Sequence, residues 1–141
     1  MEIEVTSGVI ATLLAESARA APQECCGLLL GEGVRITAAM AAENVAGEKL
    51  TRFEIDPMAL LAAHKAARAG GAQVLGYYHS HPAGHPVPSA TDCEHASGDA
   101  RIWAIVADGE VGFWRDAAGG FEKVAAVLTD WAVPQPIEPG A

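Results

Sequence analysis

The stretch AQVLGYYHSHP, residues 72–82, decides how this chain folds and where its chemistry lies. The apolar run at 74–78 predicts a buried β-strand. Along a strand, residues two apart project to the same face, so His79 and His81 at its C-terminal end can face one point in space. Pro82 has no backbone N–H to donate and is predicted to end the strand.

A carboxylate follows these histidines at a spacing that suits a shared metal ion. Ser89 is predicted to cap a helix, so Asp92 lies in the first turn, where its carboxylate can fold back toward His79 and His81. Three protein ligands and one open position are typical of a catalytic zinc, whereas structural zinc sites have four ligands. Two plainer interpretations stay open: Ser89 and Asp92 form a capping box, and the histidines are polar residues that end a strand.

A second carboxylate, Glu24, precedes the apolar segment CCGLLLG at 25–31. Burial disfavours the charged form of a carboxylate and raises its pKa toward neutrality. Such a group suits a general base that takes a proton from a zinc-activated water. The alternative is an exposed residue at a strand edge, and spacing alone does not place Glu24 near the histidines.

Together these residues resemble a known motif. Glu24, followed by His79-Ser80-His81-Pro82, Ser89 and Asp92, fills every position of the JAMM motif, a glutamate and then HxHPx6SxxD, of the MPN+ zinc metalloproteases (Mov34/MPN/PAD-1 type). The surroundings are also similar, with ECCGLLLG from Glu24 onward and FEIDP at 53–57. The resemblance covers roughly residues 1–128, and it is greatest to the short, stand-alone bacterial members.

The resemblance implies a zinc-dependent peptidase or isopeptidase. His79, His81 and Asp92 would bind one zinc per chain, with a water in the fourth position. Glu24 would act as general base and then as acid, and Ser89 would help to hold the oxyanion of the tetrahedral intermediate. The implied substrate is a small ubiquitin-like protein of the sulfur-carrier type, whose flexible C-terminus enters the site as an extended strand. The sequence does not decide which group is released from this C-terminus.

Composition narrows the classes of protein to consider. The 141 residues suggest one domain, residues 1–128, followed by a Pro-rich tail, residues 129–141. A net charge of −9 argues against nucleic-acid binding. We expect no membrane span, because no apolar run is long enough, and no signal peptide, because the N-terminus is acidic. Three cysteines do not make a disulfide framework and suggest reduced thiols in a cytoplasmic protein. The sequence does not decide the oligomeric state, and a homodimer is one possibility.

The pattern of elements predicts an α/β fold, a mixed sheet flanked by helices, which agrees with the cytidine-deaminase-like fold that the resemblance implies. An amphipathic helix is expected at 8–20, with Ile10, Leu13, Leu14 and Ala18 on one face. A second helix is expected from Pro57 to about residue 69, with Asp56 as its N-cap. The strands are expected at 2–6, 24–30, 34–42, 52–55, 72–78, 102–107, 110–115 and 121–128.

The cysteines and histidines outside the motif are expected to be structural or solvent-exposed residues. Cys25 and Cys26 are expected to be buried, rather than to supply a thiol nucleophile. Cys93 points about 100 degrees away from Asp92 on a helix and is not expected to bind metal. We expect solvent exposure for His85 and His95, and a position at the core edge for His64.

Three other functions compete with a peptidase or isopeptidase. A non-catalytic MPN binding module typically lacks the metal ligands, which are all present here. A zinc deaminase uses H-x-E with P-C-x-x-C, and neither pattern occurs here. A zinc amidohydrolase acting on a small-molecule amide stays open.

Overall fold

The computed structural model describes residues 1–129 and shows one mixed sheet with helices on both faces. In the described part there are three helices: α1 (Ser7–Ala20), α2 (Pro57–Arg68) and α3 (Ala90–His95). The eight strands are β1 (Glu2–Val5), β2 (Cys26–Glu32), β3 (Arg35–Ala42), β4 (Gln73–Ser80), β5 (Ile102–Ala107), β6 (Glu110–Ala117), β7 (Gly120–Lys123) and β8 (Ala125–Leu128). The predicted fold class is confirmed. The tail predicted at 129–141 lies, apart from Thr129, outside the described residues.

The strands follow the order β7-β6-β5-β4-β2-β3-β1-β8. Strand β4 is central, because it pairs antiparallel with β2 and parallel with β5. Only Val124 separates β7 from β8, although these strands lie at opposite ends of the order. Since consecutive Cα atoms are about 3.8 Å apart, the sheet must curl until its two edges approach each other.

Each face of the sheet carries its own hydrophobic core. Helix α1 places Val9 and Leu13 on one face, where they join residues such as Leu29, Tyr78 and Phe113. Helix α2 places Ala63 on the other face. That second core also contains Cys26, Leu28, Ile55 and Val74. Strand β4 contributes to both cores, because a β-bulge opposite Leu29 and Leu30 shifts the alternation between Tyr78, in the first core, and Val74, in the second.

This alternation places the first histidine. Tyr78 is fully buried in the α1 core, so His79 projects to the α2 face. His79 lies opposite Cys26 of β2 and Ile105 of β5 in the sheet register. The strand ends at Ser80, one residue before His81 and two before Pro82. The stretch that carries the two histidines is therefore fixed at the end of a central strand.

Several predicted boundaries were wrong. Strand β2 begins at Cys26, so Glu24 lies just before the strand. The strand extends to Glu32, and the turn that follows includes Gly33, which has φ +62°. On α1, Val9 is buried in place of Ala18, which is exposed. The predicted strand at 52–55 is reduced to one bridge between Asn44 and Ile55.

The predicted strand at 121–128 was also wrong, because it is two strands with different partners. Strand β7 pairs with β6, whereas β8 pairs parallel with β1 at the other edge. Val124 lies between them with its side chain buried, and its N–H donates to the Phe113 carbonyl. The burial of Val124 and the curl of the sheet redirect the chain, and neither is visible in a run of β-favouring residues. Within residues 1–129 no helix has the length and apolarity needed to cross a membrane.

Candidate metal centre and active site

Three side-chain atoms converge at the C-terminal end of β4. The Nε2 atoms of His79 and His81 are 3.0 Å apart. Asp92 Oδ2 lies 3.1 Å from His79 Nε2 and 3.2 Å from His81 Nε2. The structure thus brings together all three residues that the sequence predicted as ligands.

This triangle has the size that a zinc site requires. Ligand atoms about 2.0–2.1 Å from a tetrahedral zinc lie about 3.3 Å from one another. Two imidazole nitrogens and one carboxylate oxygen also form a donor set that suits zinc. His79, His81 and Asp92 therefore fit a zinc ion with one position left for a further ligand.

The capping box and the metal interpretation, which are alternatives on the sequence alone, hold together in the structure. The Ser89 hydroxyl accepts a hydrogen bond from Asp92 N at 3.0 Å, and Asp92 Oδ2 accepts one from Ser89 N at 2.9 Å. The capping box fixes the rotamer of Asp92 and directs Oδ2 to the histidines. Helix α3 is only six residues long, and its first turn serves to hold this carboxylate.

The second histidine is oriented by the loop that follows it. His81 Nδ1 lies 2.9 Å from the His85 carbonyl oxygen, so a proton on Nδ1 donates there and leaves the Nε2 lone pair for a metal. The loop is held against β6, because Trp114 Nε1 donates to the Pro86 carbonyl at 3.1 Å. A Cβ atom at Gly112 would overlap that same carbonyl oxygen, so glycine is required for this close approach.

The first histidine is held by an aromatic ring. His79 stacks on Phe53 with ring centroids 4.2 Å apart and an interplanar angle of 18°. Trp103 contacts both rings edge-on. Among residues 1–129, His79 Nδ1 has no hydrogen-bond partner. Phe53 and Trp103 therefore orient this ring in place of the usual hydrogen bond.

The pKa values of His79 and Asp92 also suit metal binding. Burial lowers the pKa of His79, which favours the neutral imidazole that a metal needs. Burial opposes charge on Asp92, but its hydrogen bonds with His79 and His81 outweigh that effect and lower the pKa of the carboxyl. For His81 the effect of burial is likewise outweighed, by the hydrogen bonds to Asp92 and the His85 carbonyl, and its pKa is raised.

Glu24, just before β2, lies next to His79 and His81. Sequence spacing could not establish this proximity. The side chain is only 7% exposed, and a carboxylate oxygen lies in a group with the ring nitrogens of His79 and His81, all within 4.8 Å of one another. Burial raises the pKa of Glu24 to about 7, with a smaller opposing contribution from His81. A carboxyl with this pKa can accept and release a proton near neutral pH.

A groove of about 320 Å³ opens beside these groups. Glu24, His81 and Ser89 form its polar side. Leu50 and Val87, both exposed, contribute apolar surface from the two loops that flank it. A chain segment lying in this groove would pass beside His81 and Glu24.

The cysteines and histidines outside the motif are buried, half-buried or exposed much as the sequence predicts. Cys26 is buried and Cys25 is half-buried, and burial raises the pKa of both thiols, that of Cys26 to about 12, which opposes a thiolate nucleophile. Cys93, His85 and His95 are exposed, and His64 is half-buried.

Sequence reasoning missed the roles of Phe53 and Ser80. Ser80 alternates to the face opposite His79, where its hydroxyl accepts a hydrogen bond from Cys25 N at 2.8 Å. Its own N–H donates to the Cys25 carbonyl. Ser80 thereby ties the segment that carries Glu24 to the strand that carries the histidines. The alternation of β4 indicated the direction of Ser80, but not its partner.

Comparison with known proteins shows which family and which fold this chain is similar to. Residues 6–117 match a family described as prokaryotic homologs of the JAB domain. A protein of known solution structure from Desulfitobacterium hafniense is similar in fold, with a TM-score of 0.79 and 28% identity, over 91% of this chain and 93% of that one.

Two curated relatives are similar to this chain over part of its length. A desampylase of Haloferax volcanii is 41% identical over 86 residues, 60% of this chain and 62% of the relative. A probable TtuB-protein conjugate cleaving protease of Thermus thermophilus is 37% identical over 92 residues, 65% of this chain and 62% of the relative. This chain thus spans less than two thirds of the length of either relative.

Proposed function

Because this chain belongs to the prokaryotic homologs of the JAB domain, we propose that it is a zinc-dependent peptidase or isopeptidase. In this proposal it hydrolyses the amide bond that follows the C-terminus of a small ubiquitin-like protein of the sulfur-carrier type. The observation that carries the proposal is the convergence of two imidazole nitrogens and one carboxylate oxygen within 3.0–3.2 Å, with Glu24 beside them.

His79, His81 and Asp92 would hold the zinc ion. When bound, zinc supplies a Lewis acid that polarises the scissile carbonyl and lowers the pKa of a water molecule. The burial of His79 and Asp92 keeps bulk water away from this position and strengthens electrostatic interactions there.

Glu24 would move the proton. A pKa of about 7 leaves a substantial fraction of the carboxylate ionised at neutral pH, ready to take a proton from the attacking water. The same carboxyl can then release that proton to the leaving amine. Both transfers use one group, which is consistent with its position between the histidines and the groove.

Ser89 would stabilise the oxyanion that forms on the scissile carbonyl. Its Oγ accepts from Asp92 N, which leaves the hydroxyl proton available to donate. Ser89 lines the groove together with Glu24 and His81, so a substrate carbonyl in the groove lies within reach of that proton.

The substrate class is supported by the shape of the groove and by the relatives. Its apolar surface, from Leu50 and Val87, suits an extended peptide segment better than an isolated polar amide. One relative is named as a protease that cleaves protein conjugates, and another as a desampylase. In this proposal residues 1–128 form the catalytic domain, and the protein works in the cytoplasm, where its cysteines stay reduced.

The test uses a ubiquitin-like protein joined through its C-terminus to a reporter, in one version by a peptide bond and in another by a lysine isopeptide bond. Zinc-dependent release of the reporter is expected from the parent. Release should be lost in Glu24→Gln and in His81→Ala. A panel of small amides serves as the comparison, and cleavage of those amides alone would contradict the assigned substrate class.

A further inference from the structure

Asn44 makes an unusually complete set of hydrogen bonds next to the candidate active site. It lies two residues beyond β3 and pairs with Ile55 in an isolated antiparallel bridge. Between these two residues the chain makes the excursion 45–54, which supplies Leu50 and Thr51 to the groove. This excursion is here called the groove loop. Asn44 stands at its base.

The side chain of Asn44 uses its full hydrogen-bonding capacity. Nδ2 donates to the carbonyl oxygens of Glu24, at 3.0 Å, and Arg52, at 3.1 Å. Oδ1 accepts from the backbone N–H groups of Ala46, at 3.0 Å, and Glu54, at 3.1 Å. Since a primary amide has two donor hydrogens and two acceptor lone pairs, no capacity is left over. Reversing the amide would place both ends against the wrong groups, so the orientation is fixed.

These contacts connect the groove loop to Glu24. The Glu24 carbonyl accepts from Asn44, and the Glu24 N–H donates to the Lys49 carbonyl at 2.8 Å. Both backbone polar groups of Glu24 are thus bound by the loop or by the residue at its base. The next residue, Cys25, is bound to Ser80 on the metal-binding strand. Glu24 is therefore held between the groove loop and β4.

We propose that Asn44 is a positioning residue that holds Glu24 and the groove loop in fixed relation to each other. The proposal rests on the proposed function, because it assigns the proton transfer to Glu24. Its effect on the reaction is indirect, since Asn44 binds the Glu24 backbone and not its carboxylate. A displacement of about 1 Å can lower a rate by about 100-fold, so loss of this side chain is expected to be visible in kcat.

The test compares two variants at this position. Asn44→Asp keeps the shape and the two acceptor contacts, but it removes both donors and sets a carboxylate oxygen against two carbonyl oxygens. Asn44→Ser keeps a single small donor and gives a milder change, which preserves the test where Asn44→Asp does not fold. The matched control is Asp56→Ala, which removes the N-cap of α2, where Asp56 Oδ1 accepts from Met58 N at 3.0 Å, without touching Glu24.

Three quantities are measured on the zinc-loaded full chain. First, kcat on the conjugate substrate should fall at least tenfold in Asn44→Asp and less in Asn44→Ser, and it should stay within twofold of the parent in Asp56→Ala. Second, zinc affinity, from competition with a chelator, should stay within threefold in every variant, because none of the four contacts of Asn44 reaches a metal ligand. Third, hydrogen exchange at the Glu24 and Val45 amides should accelerate at least tenfold in both Asn44 variants only.

Each outcome decides the matter. Parental kcat and parental exchange in Asn44→Asp would overturn the proposal, as would an equal fall of kcat in Asp56→Ala, which would indicate general destabilisation. A loss of zinc affinity that parallels the loss of kcat would also overturn it. If the parent cleaves no conjugate, the proposed function fails separately, and exchange at the Glu24 amide still decides whether Asn44 holds Glu24.

Discussion

Replacing Ser89 with alanine should lower the cleavage rate far more than it lowers stability, because the Ser89 hydroxyl has two separable tasks. As the N-cap of α3, Oγ accepts from Asp92 N at 3.0 Å. Losing this bond costs about 1 kcal/mol, which in a chain of this size lowers Tm by roughly 3–4 °C. As an oxyanion donor, the hydroxyl contributes about 2.7–4 kcal/mol to the barrier, a factor of about 100–1,000 in rate.

Ser89→Gly separates the two tasks. Glycine is tolerated at an N-cap at a cost of only a few tenths of a kcal/mol relative to serine, yet it has no hydroxyl to donate. We therefore expect Ser89→Ala and Ser89→Gly to share the same large loss of rate while differing in Tm. Zinc should stay bound in both, because the hydrogen bond from Ser89 N to Asp92 Oδ2 uses the backbone.

The assay pairs thermal unfolding with single-turnover cleavage, both with zinc bound and in one buffer. Single turnover is needed because product release would otherwise hide the chemical step. A lower Tm with a rate constant within threefold of the parent in Ser89→Ala would leave only the capping role. A rate that recovers in Ser89→Gly in step with Tm would have the same meaning, and Ser89 would no longer belong among the catalytic residues.

Three further predictions concern stability and metal affinity. Folding raises the pKa of Glu24 from 4.5 to about 7, so between these pH values the folded metal-free protein binds more protons than the unfolded chain and should lose up to about 3 kcal/mol of stability as pH rises. Urea unfolding of Glu24→Gln should lack this pH dependence, and identical pH slopes in the two proteins would contradict the shift. Ala100 is exposed and has φ +66°, so Ala100→Gly should raise the free energy of unfolding by about 0.5–1 kcal/mol, and a lower Tm would refute strain at this residue. Phe53→Leu removes the ring stacked on His79 and should weaken zinc binding roughly 2–10-fold in a chelator competition, with parental affinity counting against the orienting role.

Sequence reasoning succeeded where local geometry alone fixes the outcome. Strand alternation directs the side chains of His79 and His81, and the short connection to α3 brings Asp92 back to them, so the triangle follows from spacing. Spacing alone cannot place a residue whose determining contact is distant in sequence, and for Glu24 only the resemblance implied a place in the site. Glu24 reaches the site because β2 pairs with β4, and spacing carries no record of that pairing.

The fold shows the same division. Strand β5 falls where the sequence predicts it. The Asp108-Gly109 turn fills the gap between the strands predicted at 102–107 and 110–115, and both of its residues have positive φ, as a tight hairpin requires. The split at Val124 depends on the curl of the whole sheet, and the missing strand at 52–55 depends on one asparagine that occupies the backbone groups of Arg52 and Glu54. Neither leaves a signal in hydrophobic periodicity.

The zinc content of Glu24→Gln, measured beside that of Asp92→Ala, tests the central claim most directly. Both carboxylates lie close to the histidines, but Asp92 is proposed to bind zinc and Glu24 to transfer protons. Purified Glu24→Gln should keep about one zinc per chain, as the parent does, because three ligands remain. Asp92→Ala should lose most of its zinc on dialysis against a chelator that leaves the parent loaded. If Glu24→Gln loses its zinc while Asp92→Ala keeps it, Glu24 is a metal ligand and the assignment of base and ligands is wrong.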